Sequence, residues 1–299
     1  MRLDWLDWSN PIAVWWSFLV TASALNILLL LVLRAGYRRN VFDAGKPLAL
    51  EPLFVLASTY VLVCAFRSIL PRADVQRICL FDTWLSSVLV GRSVATIAEL
   101  CFAMQWAVVL RELARVTRSD TARNIATTIV PLIVVAECCS WYAVVSTNFL
   151  GNVLENTLWS VVFALIGVAL ARLVLSFRGI AQLAIAAAAV GVAGYVVFMG
   201  IVDVPMYAAR WHDQLAGEHQ PLGFFADFYD LATRWVVTWN ITQWRDEIPW
   251  MSLYFSVAVW ASLLLGGFPL VRHLVPRYRV RRPLLKPARR AVAIPVRTS

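Results

Sequence analysis

Long apolar stretches, separated by short polar connections, divide this chain into seven segments that can each cross a lipid bilayer. About 20 mainly apolar residues suffice for a helix to span the hydrocarbon core of a membrane. The pattern therefore predicts an all-α polytopic membrane protein, a bundle of seven transmembrane helices. The predicted spans cover about residues 11–33, 49–66, 84–110, 124–145, 157–176, 180–202 and 248–271.

The distribution of charge between the connections predicts the orientation of the bundle. With the amino end outside, the inner segments hold 19 basic and 4 acidic residues, whereas the outer segments hold 7 and 12. Basic residues are concentrated in cytoplasmic loops of membrane proteins. We therefore expect the amino end outside and the carboxyl end in the cytoplasm. The predicted location is the plasma membrane, which is the inner membrane if the source is a bacterium.

This topology predicts one transmembrane domain, residues 1–271, and a separate basic, proline-rich cytoplasmic tail, residues 272–299. The longest connection, residues 207–247, is expected on the outer side. Its aromatic residues predict a segment that packs on the mouth of the bundle or on the outer headgroups. The aromatic residues on which this prediction rests are Phe224, Phe225, Phe228, Trp235 and Trp239.

Composition narrows the classes of function. The chain is 60% hydrophobic and only 15% charged, with a net charge of +9. Soluble domains contain about 25% charged residues. The positive charge lies in the predicted inner segments, where it favours contact with anionic headgroups of membrane lipids rather than with nucleic acid. The five cysteines form no CxxC pair, so the sequence supports neither a redox motif nor a thiolate metal site. No cofactor is expected.

The third predicted span carries the most informative residues. Arg92 and Glu99 lie inside its apolar length, seven residues apart on one helical face and about 10 Å apart along the axis. Glu137 is predicted at a similar depth in the fourth span. Charged groups inside a membrane are costly and tend to face the bundle interior at functional sites. We expect Arg92 to pair with one glutamate, which leaves the other protonated as a general acid.

Other polar and aromatic residues are predicted near these three. Asp203, at the outer end of the sixth span, completes the set of candidate catalytic residues with Arg92, Glu99 and Glu137. No metal site is expected, since His212 and His219 are not spaced as in HExxH. The candidate substrate-binding residues are Trp106, Ser140, Trp141, Asn152, Asn156 and Tyr207.

Three functions are compatible with this pattern. The leading hypothesis is an integral membrane enzyme that acts on a lipid or isoprenoid-like substrate in an outer-half pocket. The second is a proton- or cation-coupled transporter or channel, which the lack of an evident internal repeat disfavours. The third is a receptor or assembly factor in which the buried polar residues only hold helices together.

Overall fold

The computed structural model describes residues 7–44, 51–217 and 224–274, and within these ranges the fold is almost entirely helical. Three two-residue strands, β1 (Arg72–Ala73), β2 (Ile78–Cys79) and β3 (Val236–Val237), form one small sheet. The helices are α1 (Pro11–Ala44), α2 (Glu51–Ile69), α3 (Val88–Thr117), α4 (Asp120–Ser146), α5 (Phe149–Val174), α6 (Ile180–Phe198), α7 (Val204–Ala216), α8 (Phe224–Thr233), α9 (Ile241–Trp244), α10 (Ile248–Leu253) and α11 (Val259–Leu274).

Seven helical stretches in the described ranges are long and apolar enough to cross a membrane, which confirms the predicted multi-pass architecture. Five are α1 to α5. The other two are composite, because a π-helical turn at Met199–Asp203 joins α6 to α7 and another at Tyr254–Ala258 joins α10 to α11. The sixth stretch therefore continues past its predicted end at residue 202. Residues 275–299 of the predicted tail lie outside the described part of the chain.

A side-chain cap fixes the start of α3. The hydroxyl of Ser87 accepts a hydrogen bond from the backbone N–H of Val90 at 3.4 Å. Such a cap satisfies one of the N–H groups that the first turn leaves without a helical partner. Arg92 and Glu99 consequently follow this cap by five and twelve residues, or about 7 and 18 Å along the helix.

A tight turn between α4 and α5 makes the fifth helix begin earlier than the sequence predicts. Thr147 adopts a left-handed conformation, with φ of 50°, and the side chain of Asn148 accepts a hydrogen bond from Leu150 N at 2.9 Å. The helix thus begins at Phe149, eight residues before the predicted span at 157–176. The sequence predicts a connection for these extra turns because they contain polar residues. They carry Asn152 and Glu155.

The sheet lies at one end of the bundle, which we call the sheet end, and ties the connection 207–247 to it. β1 pairs with β2 in antiparallel fashion, and β3 pairs with β2 in parallel. Trp235 Nε1 donates to the Asp82 carboxylate at 2.9 Å, and Trp239 Nε1 donates to the Leu80 carbonyl at 3.0 Å. Both tryptophans thus bond to the segment that joins α2 to α3. The side chains of Phe224 and Phe225 lie outside the described part of the structure.

Helix packing leaves a space on one side of the bundle. α4 packs between α3 and α5, and α5 also contacts α6 and α7. α11 instead packs against α1, α2 and α3. Since α6 rests on α5 while α11 rests on the other side of the bundle, a cavity remains between α6 and α11.

Candidate active site

Arg92 lies at the centre of a buried cluster of three glutamates. Its Nη2 atom lies 2.7 Å from Glu99 Oε2 and 2.5 Å from Glu137 Oε2. Its Nη1 atom lies 3.5 Å from Glu155 Oε1. All four side chains are less than a tenth exposed, so these ion pairs are largely shielded from solvent.

Three neighbouring helices bring these groups together. Arg92, Thr96 and Glu99 share one face of α3 through their i, i+4 and i+7 spacing. Glu137 precedes the α4–α5 turn by ten residues, and Glu155 follows it by eight. At 1.5 Å per residue, both glutamates lie about 12–15 Å from that turn and hence at similar depth in the bundle.

The absence of a side chain at Gly151 permits the close approach of α4 and α5. A Cβ atom at this position would collide with the backbone carbonyl of Cys139 and with Ala143. Glycine therefore allows the first turns of α5 to lie directly against α4. This approach brings Glu155 within reach of Arg92.

Glu137 lies on the side of the cluster that faces away from the cavity. Thr96 Oγ1 donates to Glu137 Oε2 at 2.6 Å, and Trp141 Nε1 donates to Thr96 Oγ1 at 3.1 Å. Neither Glu137 nor Trp141 is among the described residues that line the neighbouring cavity. Trp141, predicted to bind substrate, instead orients Thr96. Glu137 is placed to neutralise the charge of Arg92 from the side away from the cavity.

Glu99 and Glu155 lie on the open side of the cluster, in the wall of the cavity. The hydroxyl of Tyr254, in the second π-helical turn, donates to Glu99 Oε1 at 3.3 Å. Asn152 Nδ2 donates to Glu155 Oε2 at 3.3 Å. Both contacts are long for hydrogen bonds, so each carboxylate retains capacity to bond to a ligand.

The cavity has a volume of about 900 Å³, near the upper end of the range for small-molecule sites. It begins among polar residues at the sheet end, passes Arg92, Glu99 and Glu155, and continues between apolar side chains toward the opposite end. Besides Arg92 and Glu99, six of the predicted site residues line it: Trp106, Ser140, Asn152, Asn156, Asp203 and Tyr207. Its apolar half is lined by residues that include Val109, Leu113, Leu170, Phe177, Ala188 and Leu265.

The apolar half of the cavity reaches the side of the bundle. Ile180, at the start of α6, and Leu264, in α11, both line the cavity and are each 77% exposed. These two residues lie on the helices that border the space between α6 and α11. In a membrane, this opening would face the hydrocarbon core rather than water.

Asp203, a predicted catalytic residue, is separate from the Arg92 cluster. It lies in the first π-helical turn, is 6% exposed and lines the cavity. Within the described part of the chain, it makes no ion pair with Arg92. The structure therefore assigns it to the cavity wall at another position, while Glu155, absent from the predicted site, takes the place in the cluster.

At the sheet end, charged residues outside the spans form their own pairs. Arg72 Nε lies 2.8 Å from Asp74, and its Nη1 donates to the Ser86 carbonyl at 2.9 Å. Burial raises the pKa of the Asp74 carboxyl, but the positive charges of Arg72 and Arg67 outweigh it. The pKa of Asp74 is consequently below its ordinary value, and the group is ionised at neutral pH.

The glutamate cluster also has the spacing of a cation site, since carboxylate oxygens of Glu99, Glu137 and Glu155 lie within 4.8 Å of one another. The guanidinium of Arg92 already supplies positive charge to all three. A divalent cation would have to displace these contacts and lie beside a buried arginine. The cluster as arranged fits an arginine-bound carboxylate group better than a metal centre.

No protein family matches this chain, and neither a curated protein nor a solved structure matches it. Function is therefore inferred from the cavity and the side chains around it.

Proposed function

We propose that this protein is an integral membrane enzyme that acts on a lipid or isoprenoid-like substrate. One observation carries the proposal: Arg92, Glu99 and Glu155 lie in the wall of a cavity that is apolar on the side away from the sheet end and opens sideways there. An amphiphile that enters from the bilayer would place its chain between α6 and α11 and its polar end beside the carboxylates.

The apolar half of the cavity favours a hydrocarbon chain over an ion. Each methylene group that leaves water for such a surface contributes about 0.8 kcal/mol. A path for ions or protons needs polar groups or water along its length, whereas the side chains named above for this half are all apolar. This lining supports a lipid substrate over a cation channel.

The charges of the cluster support acid–base chemistry. Three ionised glutamates beside one arginine would leave two negative charges in a low-dielectric region, which is costly. A proton held by the group lowers that cost and is shared among coupled carboxylates. Glu137 serves as the ionised partner of Arg92 behind the wall. Glu99 and Glu155 then act as the general acid and general base that face the substrate.

The polar groups that the fold leaves without partners also support a ligand site. Arg92 Nε, Trp106 Nε1 and Asn152 Oδ1 are buried without a hydrogen-bond partner in the described part of the structure. A purely structural network would satisfy such groups, because each one left unpaired costs about 1–3 kcal/mol. A bound ligand is expected to complete them.

Turnover of a membrane lipid extract tests the proposal. The full-length protein in nanodiscs is incubated with the extract, and mass spectrometry identifies species consumed and formed. We expect conversion by the natural protein and by Asp120→Asn, a change at an exposed side chain. Glu99→Gln and Glu155→Gln should each lower the rate by about a hundredfold or more. Equal lipid profiles for the natural protein and both glutamine variants would refute an enzyme that uses these carboxylates.

A proton-coupled transporter is the second candidate, and one observation favours it. Both π-helical turns, Met199–Asp203 and Tyr254–Ala258, contribute residues to the cavity wall, and interrupted helices often line transport sites. Reconstitution in liposomes with an internal pH-sensitive dye separates the two. Proton movement lost in Glu99→Gln, without any lipid conversion, would favour transport.

A further inference from the structure

Arg67 is a buried arginine that pairs with no carboxylate in the described part of the chain. It lies in the last turn of α2, is 3% exposed and lines the cavity. Within the described part of the chain, no carboxylate lies within 4.0 Å of it, and its Nε has no hydrogen-bond partner. The other arginines of the cavity wall, Arg72 and Arg92, each have carboxylate partners.

Two weak contacts hold Arg67 without using its N–H donors. Its guanidinium carbon lies 6.0 Å from the centroid of the Phe255 ring, at the limit of a cation–π contact. Its place in the last turn of α2 also sets it near the negative end of the helix dipole. Neither contact saturates the planar set of donors that a guanidinium offers to a phosphate or carboxylate. A buried charge in this state is expected to bind an external anion.

The immediate surroundings of Arg67 carry excess positive charge. Arg72 and Asp74 neutralise one another at 2.8 Å. Burial and the positive charge of Arg67 lower the pKa of the Arg72 guanidinium, whereas the charge of Asp74 raises it. Arg67, Arg72 and Asp74 together carry one net positive charge.

We propose that Arg67 binds the phosphate headgroup of an amphiphile whose hydrocarbon chain occupies the apolar half of the cavity. The substrate identity rests on the proposed function, whereas the binding itself does not require catalysis. Measured from the sheet end, Arg67 lies about 3 Å along α2 and Glu99 about 18 Å along α3. A headgroup at Arg67 therefore directs the attached chain past Glu99 and Glu155 toward the apolar half.

Dodecyl phosphate is the probe that tests this site, because it joins a phosphate monoester to a single chain. The full-length protein in a non-ionic detergent is titrated while heat of binding and thermal unfolding are followed. Inorganic phosphate supplies the anion without the chain, and dodecyltrimethylammonium supplies the chain with the opposite charge. We expect dodecyl phosphate to raise the melting temperature and the other two to have much smaller effects.

Substitutions of Arg67 then locate the anion. Arg67→Gln should weaken dodecyl phosphate binding about tenfold or more, because a charge-assisted hydrogen bond is lost. Arg67→Lys should fall between, since it keeps the charge but loses the planar donors. Arg245→Gln is the matched control, because Arg245 lies in the connection 207–247 and its side chain is 84% exposed. It should bind as the natural protein does.

A second variant tests where the hydrocarbon chain of the ligand binds. This test does not depend on whether Arg67→Gln folds. Ala188 lines the apolar half of the cavity, so Ala188→Phe should weaken dodecyl phosphate but leave any binding of inorganic phosphate unchanged. Equal affinity of the natural protein and the Arg67 variants for dodecyl phosphate would overturn the proposal. Equal binding of inorganic phosphate and dodecyl phosphate would overturn the amphiphile. Glu99→Gln retains Arg67 and should still bind dodecyl phosphate, so loss of turnover and loss of binding are distinguishable.

Discussion

At the scale of single residues, one guanidinium organises the site. The sequence left two partners open for Arg92, Glu99 on its own helix and Glu137 on the next. The structure shows both, at 2.7 and 2.5 Å, because α3 and α4 pack directly and the side chain of Arg92 extends between them. Glu155 adds a longer contact at 3.5 Å.

Replacement of Arg92 tests how far the stability of the fold depends on its pairing with these glutamates. Arg92→Gln strands buried carboxylates and should lower the free energy of unfolding by about 3–5 kcal/mol. Arg92→Gln combined with Glu137→Gln should recover part of that loss, because the buried negative charge is removed with its partner. Thermal unfolding of the purified variants in detergent measures both effects. Strictly additive losses would show that the two residues are not coupled.

At the scale of elements, the α4–α5 pair decides which carboxylates meet. The left-handed Thr147 and the Asn148 cap reverse the chain within two residues, and Gly151 lets the helices touch immediately afterwards. This geometry converts a polar segment that resembles a connection into the start of a buried helix. Glu155 owes its position to that packing.

Gly151→Ala tests the close approach of the two helices. The added methyl group meets backbone and should force α5 away from α4, with a cost of about 1–3 kcal/mol and a longer distance from Arg92 to Glu155. Gly191→Ala is the matched control, because a Cβ there meets nothing within 4 Å. The melting temperature should fall for Gly151→Ala but not for Gly191→Ala. Equal melting temperatures for both variants would contradict the role given to Gly151.

At the scale of the whole molecule, the predicted topology gives the cavity an orientation in the membrane. The connection 207–247 and the polar mouth of the cavity share the sheet end, which the charge distribution predicts to be outside. The apolar half then faces the inner leaflet. The membrane orientation thus decides from which leaflet a headgroup reaches Arg67.

Reporter fusions test that orientation. A reporter fused after Ser299 should be active in the cytoplasm, and one inserted after Gly217 should report the outer face. The reason is the excess of basic residues on the predicted inner segments. Fusion activities of the reverse pattern would invert the topology and move the headgroup site to the other leaflet.

Local properties of the sequence determined the seven spans and the placement of Arg92 and Glu99 on one helical face. Hydropathy sums over neighbours in the chain, and helical periodicity follows from the 3.6-residue turn, so neither needs the fold. The same local sums assigned Arg67 and Glu155 to polar connections, whereas both are buried in the structure.

Tertiary packing alone decided the rest of the site. Whether a polar residue faces a cavity, a partner or solvent depends on helices distant in sequence. Such contacts place Glu137 and Trp141 outside the cavity lining and bring Glu155 into the cluster. They also leave Arg67 without an ion pair to a described carboxylate. The cavity itself exists because α6 rests on α5 while α11 rests on α2 and α3, an arrangement that no single segment encodes.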